Sequence, residues 1–392
     1  MTERAFLRAC FVALLAILPI VPRHGFADEP SKADKAIAEA LQPFIANHSL
    51  AGAVTLVADK DNVLSLQAIG YADIAAGKLM TTDALFWIAS QSKPITATAF
   101  MMLVDEGKVK LDDPVSKYLP EFRDQWVAVE QDNQHKLLKR PRHPITIREI
   151  LSHTSGLPFK SAMEEPTLDL LPLRDAVRSY AMTPLIFEPG SKYQYSNAGI
   201  NTAGRIIEVV SHMPYEQFLQ QRLFDPLGMI DTTFWPNDAQ VTRLAKSYKP
   251  GKGGMGLEET TVTQLKYPLS DRHRQPMPAG GLFSTASDLA KFCQMILNHG
   301  TVGNIRFLSE GSIAEMTRKQ TPDGVKDNYG LGWSAGPTFG HGGAYSTNMT
   351  IDTKRGLILI WMVQHAGFPG NGGQSQGAFR NAAEKAFGKI PQ

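Results

Sequence analysis

The chain has 392 residues, 43% of them hydrophobic and 20% charged, with a formal net charge of +2. That length and balance suit one large domain or two intimately packed ones, and they exclude a mostly disordered chain. The near-neutral charge leaves no basic footprint for nucleic acid or an anionic membrane.

At the N-terminus, Arg4 and Arg8 precede an apolar run from Ala9 to Val21, and Gly25-Phe26-Ala27 supplies small residues for a cleavage point. Residues 1–27 read as a secretory signal peptide, the alternative being an uncleaved anchor. The run is about 13 residues, short of the ~20 that a membrane-spanning helix needs. No later stretch is long and apolar enough to span. Loss of this segment removes three arginines and one glutamate, so a mature chain of residues 28–392 is expected to be neutral and either periplasmic or secreted. Cys10 lies in the signal segment, which leaves Cys293 without a disulfide partner. Its setting, Leu289 to Leu297, has helical spacing, and the thiol reads as a small buried hydrophobe.

Residues 34–47 alternate apolar and polar side chains at helical spacing. Two strand-like runs follow, Ala53–Ala58 and Val63–Ile69, across the hairpin turn Asp59-Lys60-Asp61-Asn62. Ser90-Gln91-Ser92-Lys93 then opens the first strong helix, predicted over Ser92–Glu106, directly after the strand-like Phe86-Trp87-Ile88. Positions i and i+3 share a helix face, so the Lys93 amine can reach the Ser90 hydroxyl. A serine needs a group to take its proton, and a lysine desolvated in a cleft can do that. The bland alternative is a helix-capping serine with a solvated lysine.

Further helices are predicted at Ile147–Ser152, Leu173–Tyr180, Ile200–Val210, Tyr215–Leu223 and Ala286–Asn298. Long polar connections, among them 121–145 and 249–275, separate them. His153 reads as part of a structural turn and Glu164-Glu165 as a solvated loop. Between these helices stands Tyr195-Ser196-Asn197. A tyrosine beside an ammonium loses its proton more easily and can relay it, and the asparagine can hold the lysine and donate to a substrate carbonyl. The alternative is a packed ring and a helix cap. Trp235 and Trp333 suit either a cleft or the core.

Near the C-terminus, His341-Gly342-Gly343-Ala344 precedes the strands Asn348–Asp352 and Gly356–Val363, and a closing helix is predicted over Gln376–Phe387. Paired glycines let backbone approach a ligand closely. The N–H of Ala344 is then placed to join that of Ser90 as an oxyanion hole. A rival third element, Lys252-Gly253-Gly254, lies in the Gly-rich stretch 249–256, which with the loop 366–373 reads as flexible. The strands at both ends and the helices between them predict an α+β fold: sheet-forming parts at about 28–85 and 300–392, with a helical part at about 86–299.

In this order, Ser-x-x-Lys, Tyr-x-Asn and His-Gly-Gly resemble the penicillin-recognising serine hydrolases, in particular the class C β-lactamase group. That group also holds D-alanyl-D-alanine carboxypeptidases, D-aminopeptidases and lactamase-like carboxylesterases. Lys110–Val115 with Tyr118-Leu119-Pro120, Ile147–Leu157, Pro226–Met229, Pro278–Leu282 and Tyr329–Trp333 extend the resemblance over roughly residues 34–388. It implies an antiparallel sheet flanked by helices, beside an all-α lobe. It also implies Ser90 as nucleophile, Lys93 as its activator, Tyr195 as proton relay, and Asn197, His341, Gly343 and Ala344 as substrate-binding positions. No cofactor or metal is implied.

Class C β-lactamases carry Lys-Thr-Gly where this chain has His341, and a mostly neutral histidine does not attract a substrate carboxylate as lysine does. The expected activity is therefore acyl transfer to water from a small ester or amide. Close alternatives are a D-peptidase, a weak β-lactamase, or a protein that binds penicillin or cell-wall peptides without turnover. There is no Gly-x-Ser-x-Gly elbow, His-Glu-x-x-His or Cys-x-x-Cys, so an α/β-hydrolase or a zinc site has no sequence support.

Overall fold

The structure is a computed structural model in which residues 31–388 are described; the expected signal segment, 1–27, lies outside them. Six strands form the main sheet: β1 (Gly52–Ala58), β2 (Val63–Asp73), β3 (Lys78–Leu79), β4 (Thr338–Gly342), β5 (Asn348–Asp352) and β6 (Leu357–Met362). Their order is β4-β5-β6-β1-β2-β3, and every pairing is antiparallel. The hairpin between β1 and β2 is closed as its sequence predicts, with Asp59 Oδ1 accepting from the N–H groups of Asp61 and Asn62.

The first and last parts of the chain meet at the centre of the sheet, where β1 pairs with β6. Both strands are buried along their whole length, because helices cover both faces. Helices α1 (Lys32–Ala46) and α6 (Ser375–Phe387) lie on one face. There Ile37, Leu41 and Phe44 meet Val57, Leu359, Trp361 and Phe379. On the other face Val54, Leu56, Ile358 and Ile360 face helices α2 (Ser92–Asp105) and α5 (Ala286–Leu297). Alternation along each strand sends successive side chains to these two cores. Cys293 on α5 is fully buried beside Met349, at 3.8 Å sulfur to sulfur.

The helical lobe is built on α3 (Leu173–Ala181) and α4 (Asn197–Ser211). Helix α4 begins earlier than the apolar spacing predicts. Ser196, not Asn197, is its cap, accepting from the Gly199 N–H at 3.1 Å. Helix α2 is buried from Ser92 to Leu103, as a helix between a lobe and a sheet must be.

Several expectations need correction. The predicted helix Tyr215–Leu223 is regular only to Leu219 and widens into a π-helical turn over Gln220–Phe224. The connection at 121–145 contains a hairpin, Val127–Gln131 with Lys136–Lys139. The Gly-rich stretch is the tip of another, Ser247–Pro250 with Leu257–Thr260, tied by ion pairs Lys246–Glu259 and Lys249–Glu258 at 2.7 and 3.4 Å. Glu164 is not solvated. It is 2% exposed, accepts from the Tyr180 hydroxyl and the Ser161 N–H, and burial raises its pKa. Trp333 is a core residue stacked on Phe292, whereas Trp235 is partly buried and donates to the Arg274 carbonyl.

Phe379 carries the stacking of α6 on Trp361 with a centroid separation of 5.8 Å, far from the helical lobe. Phe379→Ala is expected to lower unfolding free energy by about 3–5 kcal/mol in chemical denaturation. An unchanged denaturation midpoint would contradict this account of the outer core.

Candidate active site

Ser90 lies in a short 3-10 turn, Ala89–Gln91, that leads from the buried strand Phe86–Trp87 into α2. The residue before it, Ala89, has φ 46°, a left-handed conformation that a side chain disfavours. Ser90 therefore stands at a sharp corner and does not cap the helix. One turn on, Lys93 is 0% exposed. Its Nζ donates to Ser90 Oγ at 3.1 Å, Asn197 Oδ1 at 2.8 Å and the Ala279 carbonyl at 2.7 Å. Desolvation pushes the amine well below the ordinary lysine pKa.

The Ala279 contact belongs to a strap, residues 277–282, whose letters alone suggest no role. Trp87 Nε1 donates to the Gly280 carbonyl at 2.7 Å, Ile88 N–H to Leu282 at 3.0 Å, and Thr96 Oγ1 to Pro278 at 2.8 Å. Asn201 Oδ1 accepts from the Ala279 N–H at 3.0 Å. A β-carbon on Gly204 of α4 would come within 2.3 Å of Pro278 Cγ, so glycine lets the lobe close on the strap. The strap thus fixes one acceptor of the amine while α4 fixes another.

Tyr195 precedes the Ser196 cap and lies with its ring centroid 4.6 Å from Lys93 Nζ. The expectation of an easily ionised phenol is overturned. Burial raises the Tyr195 pKa, a hydrogen bond with Ser90 offsets only part of this, and the hydroxyl keeps its proton. His153 has φ 61° and is buried; its Nδ1 accepts from the Ser196 N–H at 3.2 Å. Its ring packs on Tyr195 and Tyr329 at 4.6 and 4.7 Å, in keeping with a structural turn.

His341 projects from β4. Its Nδ1 faces the Gly342 carbonyl at 2.7 Å and its Nε2 the Tyr329 hydroxyl at 3.0 Å. A carbonyl only accepts, so Nδ1 carries the proton and Nε2 accepts from Tyr329, which is the neutral tautomer. Burial, with Lys93 nearby, lowers the imidazole pKa to about 3. The rival Lys252 is exposed at its hairpin tip.

A β-carbon on Gly343 would come within 2.6 Å of the Ile88 carbonyl oxygen and 2.2 Å of Thr347 Oγ1. Glycine therefore allows the end of β4 to pass against the strand that delivers Ser90. Ala344 and Ser90 line one cavity of about 230 Å³ together with Tyr195 and Asn197. Among the described residues, neither the Ser90 nor the Ala344 N–H donates to a backbone acceptor. The rest of the wall includes Trp87, Phe159, Met277 and Gln264, with no ionised side chain. A second hollow of about 370 Å³ runs along β4 past His341 to Arg380. The outward N–H and carbonyl of Gly340 are both taken by Ser334, at 2.9 and 3.1 Å. The free edge of β4 is thereby confined to the residues beyond.

A serine with a buried lysine at i+3, between a helical lobe and an antiparallel sheet, is the arrangement of serine hydrolases with the β-lactamase and transpeptidase fold. The chain belongs to the beta-lactamase family, whose model matches residues 37–380. An uncharacterized protein of Mycobacterium tuberculosis is 33% identical over 357 residues, covering 81% of this chain and 86% of that one. A putative D-alanyl-D-alanine carboxypeptidase of Salmonella typhimurium is 28% identical over 369 residues, covering 82% and 81%. Among solved structures, EstCE1, described as a hydrolase with promiscuous acyltransferase activity, superposes with a TM-score of 0.75 at 25% identity, covering 90% of this chain and 98% of that one. Simvastatin synthase from Aspergillus terreus gives 0.75 at 20% identity over 91% and 98%. The family is one of hydrolases, and EstCE1 is described as a hydrolase as well.

The neutral form of His341 has a direct consequence. Its ring ¹⁵N shifts are expected to show no inflection between about pH 8 and about pH 5, where an ordinary histidine titrates. A midpoint near 6.5 would overturn the assignment of that tautomer.

Proposed function

We propose that this protein hydrolyses small neutral esters by forming an acyl-enzyme on Ser90. The observation that carries the reading is the hydrogen bonding of Lys93: a fully buried amine with three acceptors, one of them Ser90 Oγ at 3.1 Å. As a neutral amine, Lys93 keeps its two N–H bonds to Asn197 and Ala279 and turns its lone pair to Ser90. It then takes the hydroxyl proton as Ser90 attacks the carbonyl. The oxyanion forms between the N–H groups of Ser90 and Ala344. Tyr195, held in its protonated form, passes a proton to the leaving group and is restored from Lys93. Asn197 orients the amine and the acyl carbonyl. Water, activated by the same groups, releases the acid.

An ester is favoured because the cavity around Ser90 has no ionised side chain and His341 is neutral. The acyltransferase activity in the description of EstCE1 agrees with this choice. A second reading, D-alanyl-D-alanine carboxypeptidase, rests on Arg380. Its guanidinium lines the hollow along β4, where a peptide carboxylate would meet it. The proposal includes export of the chain, read from residues 1–27.

Initial rates on p-nitrophenyl butyrate test the nucleophile. Ser90→Ala is expected to lose at least about 10⁴-fold in kcat, with no acyl adduct by intact mass. Retained turnover would remove Ser90 from the mechanism, and a stable penicillin adduct without ester turnover would favour a binding protein. The pH profile tests Lys93. The active amine is the unprotonated one, so kcat/KM falls as pH drops through the lowered pKa and is flat above it. The inflection is expected well under the ~10.4 of a free lysine. An inflection at that ordinary value would mean that Lys93 is not the base.

A further inference from the structure

Away from the Ser90 cavity, the helical lobe contains a cleft of about 490 Å³ whose wall includes Arg174, Arg205, Arg272 and Arg274. Arg274 is unusual in being 2% exposed. Its Nε donates to Asp169 at 2.7 Å and its Nη1 to the carbonyls of Phe234 and Leu269 at 3.0 and 2.6 Å. Those bonds lock the plane of the guanidinium. They leave Nη2, which donates to no acceptor among the described residues, for the cleft that Arg274 lines. Arg272 has no carboxylate partner among the described residues. Its guanidinium rests over the ring of Trp235, 5.1 Å from the centroid. Both groups are thus held in place before any ligand arrives, which lowers the ordering cost of binding.

Helix α3 ends in the same cleft. Its cap residue, Pro172, offers no side-chain hydrogen bond, so the first turn brings uncapped N–H groups beside Arg174. Two carboxylates complete the wall, Glu208 and Glu216. Glu208 is occupied, accepting from Arg205 at 2.7 Å and the Tyr215 N–H at 3.2 Å. Burial raises the Glu216 pKa, and the neighbouring Glu208 adds to this. Asp169, Glu208 and Asp175 pair with Arg274, Arg205 and Arg174, the last at 3.1 Å, so Arg272 is the planar donor left with its charge for an oxyanion.

We propose that this cleft is a second ligand site, distinct from the Ser90 cavity, that binds a small anion through a carboxylate or phosphate group placed between Arg272 and Arg274. The Arg272 guanidinium, the remaining Nη2 of Arg274 and a helix start recognise the anionic group itself. The open remainder of the cleft, bounded by Trp235, accommodates the body that carries it.

Isothermal titration of the full chain with inorganic phosphate, and separately with citrate, tests the site and distinguishes its two chemistries. Saturable one-site binding of either is expected, weakening as sodium chloride is raised. The double variant Arg174→Ala/Arg272→Ala is expected to lose affinity by about tenfold or more. Both side chains are exposed, and unchanged far-UV circular dichroism and ester turnover would show that the variant is folded. Arg380→Ala, which removes the exposed guanidinium of the β4 hollow, is expected to bind as the parent does. Binding of phosphate alone assigns a phosphoryl ligand, and binding of citrate alone a carboxylate ligand. No saturable binding, equal affinity in the double variant, or loss of binding only in Arg380→Ala would overturn the proposal.

Discussion

The architecture depends on burying an ammonium-forming side chain with no carboxylate to accompany it. Removing Lys93 from water as a cation would forfeit on the order of several kcal/mol of hydration. The protein answers by supplying neutral acceptors and lowering the proton affinity of the amine. Each large element contributes to that environment. Helix α2 is enclosed on all sides, α4 starts at Asn197 because Ser196 caps it, and the strap brings the Ala279 carbonyl across from a distant part of the chain. The sheet closes the remaining side, since Gly343 allows β4 to end against the strand that delivers Ser90.

Much of this was legible in the sequence, for identifiable reasons. The strand-like runs 53–58 and 63–69 across their hairpin turn, and the run 356–363, announced the central strands, and the closing helix was read at 376–387. The family resemblance singled out the motif residues that the fold brings to the cleft. What escaped were features that depend on tertiary partners. Glu164 looks solvated because nothing local announces Tyr180 above it. The hairpins at 127–139 and 247–260 were hidden by polar composition, although the Lys/Glu pairing of the second was present in the letters. The direction of the Tyr195 shift was also hidden, since proximity to Lys93 argues one way and burial, which dominates, argues the other. The strap was visible only as Pro278-Ala279-Gly280-Gly281-Leu282, with no side chain to suggest that a carbonyl holds the lysine.

The third motif shows how one substitution changes what a cleft selects. A lysine at this position of β4 would present a charge along the hollow beside that strand. His341 instead presents a neutral ring whose two nitrogens are already engaged, by the Gly342 carbonyl and the Tyr329 hydroxyl. The guanidinium that lines this hollow is that of Arg380, already bonded through Nε to Glu384. Positive charge is thereby displaced from the Ser90 cavity, while the groups around Ser90 retain their arrangement.

The strap also has a meaning for the folding chain. Lys93 contacts Asn197 and Ala279 across sequence separations of 104 and 186 residues. Until both segments dock, the amine is an ordinary solvated cation, and Ser90 and Lys93 are merely neighbours on a helix. The unusual proton affinity arises at closure, as a property of the finished tertiary structure. Partly folded forms that display every motif residue therefore lack this lowered proton affinity, which doubles as a sign of completed assembly.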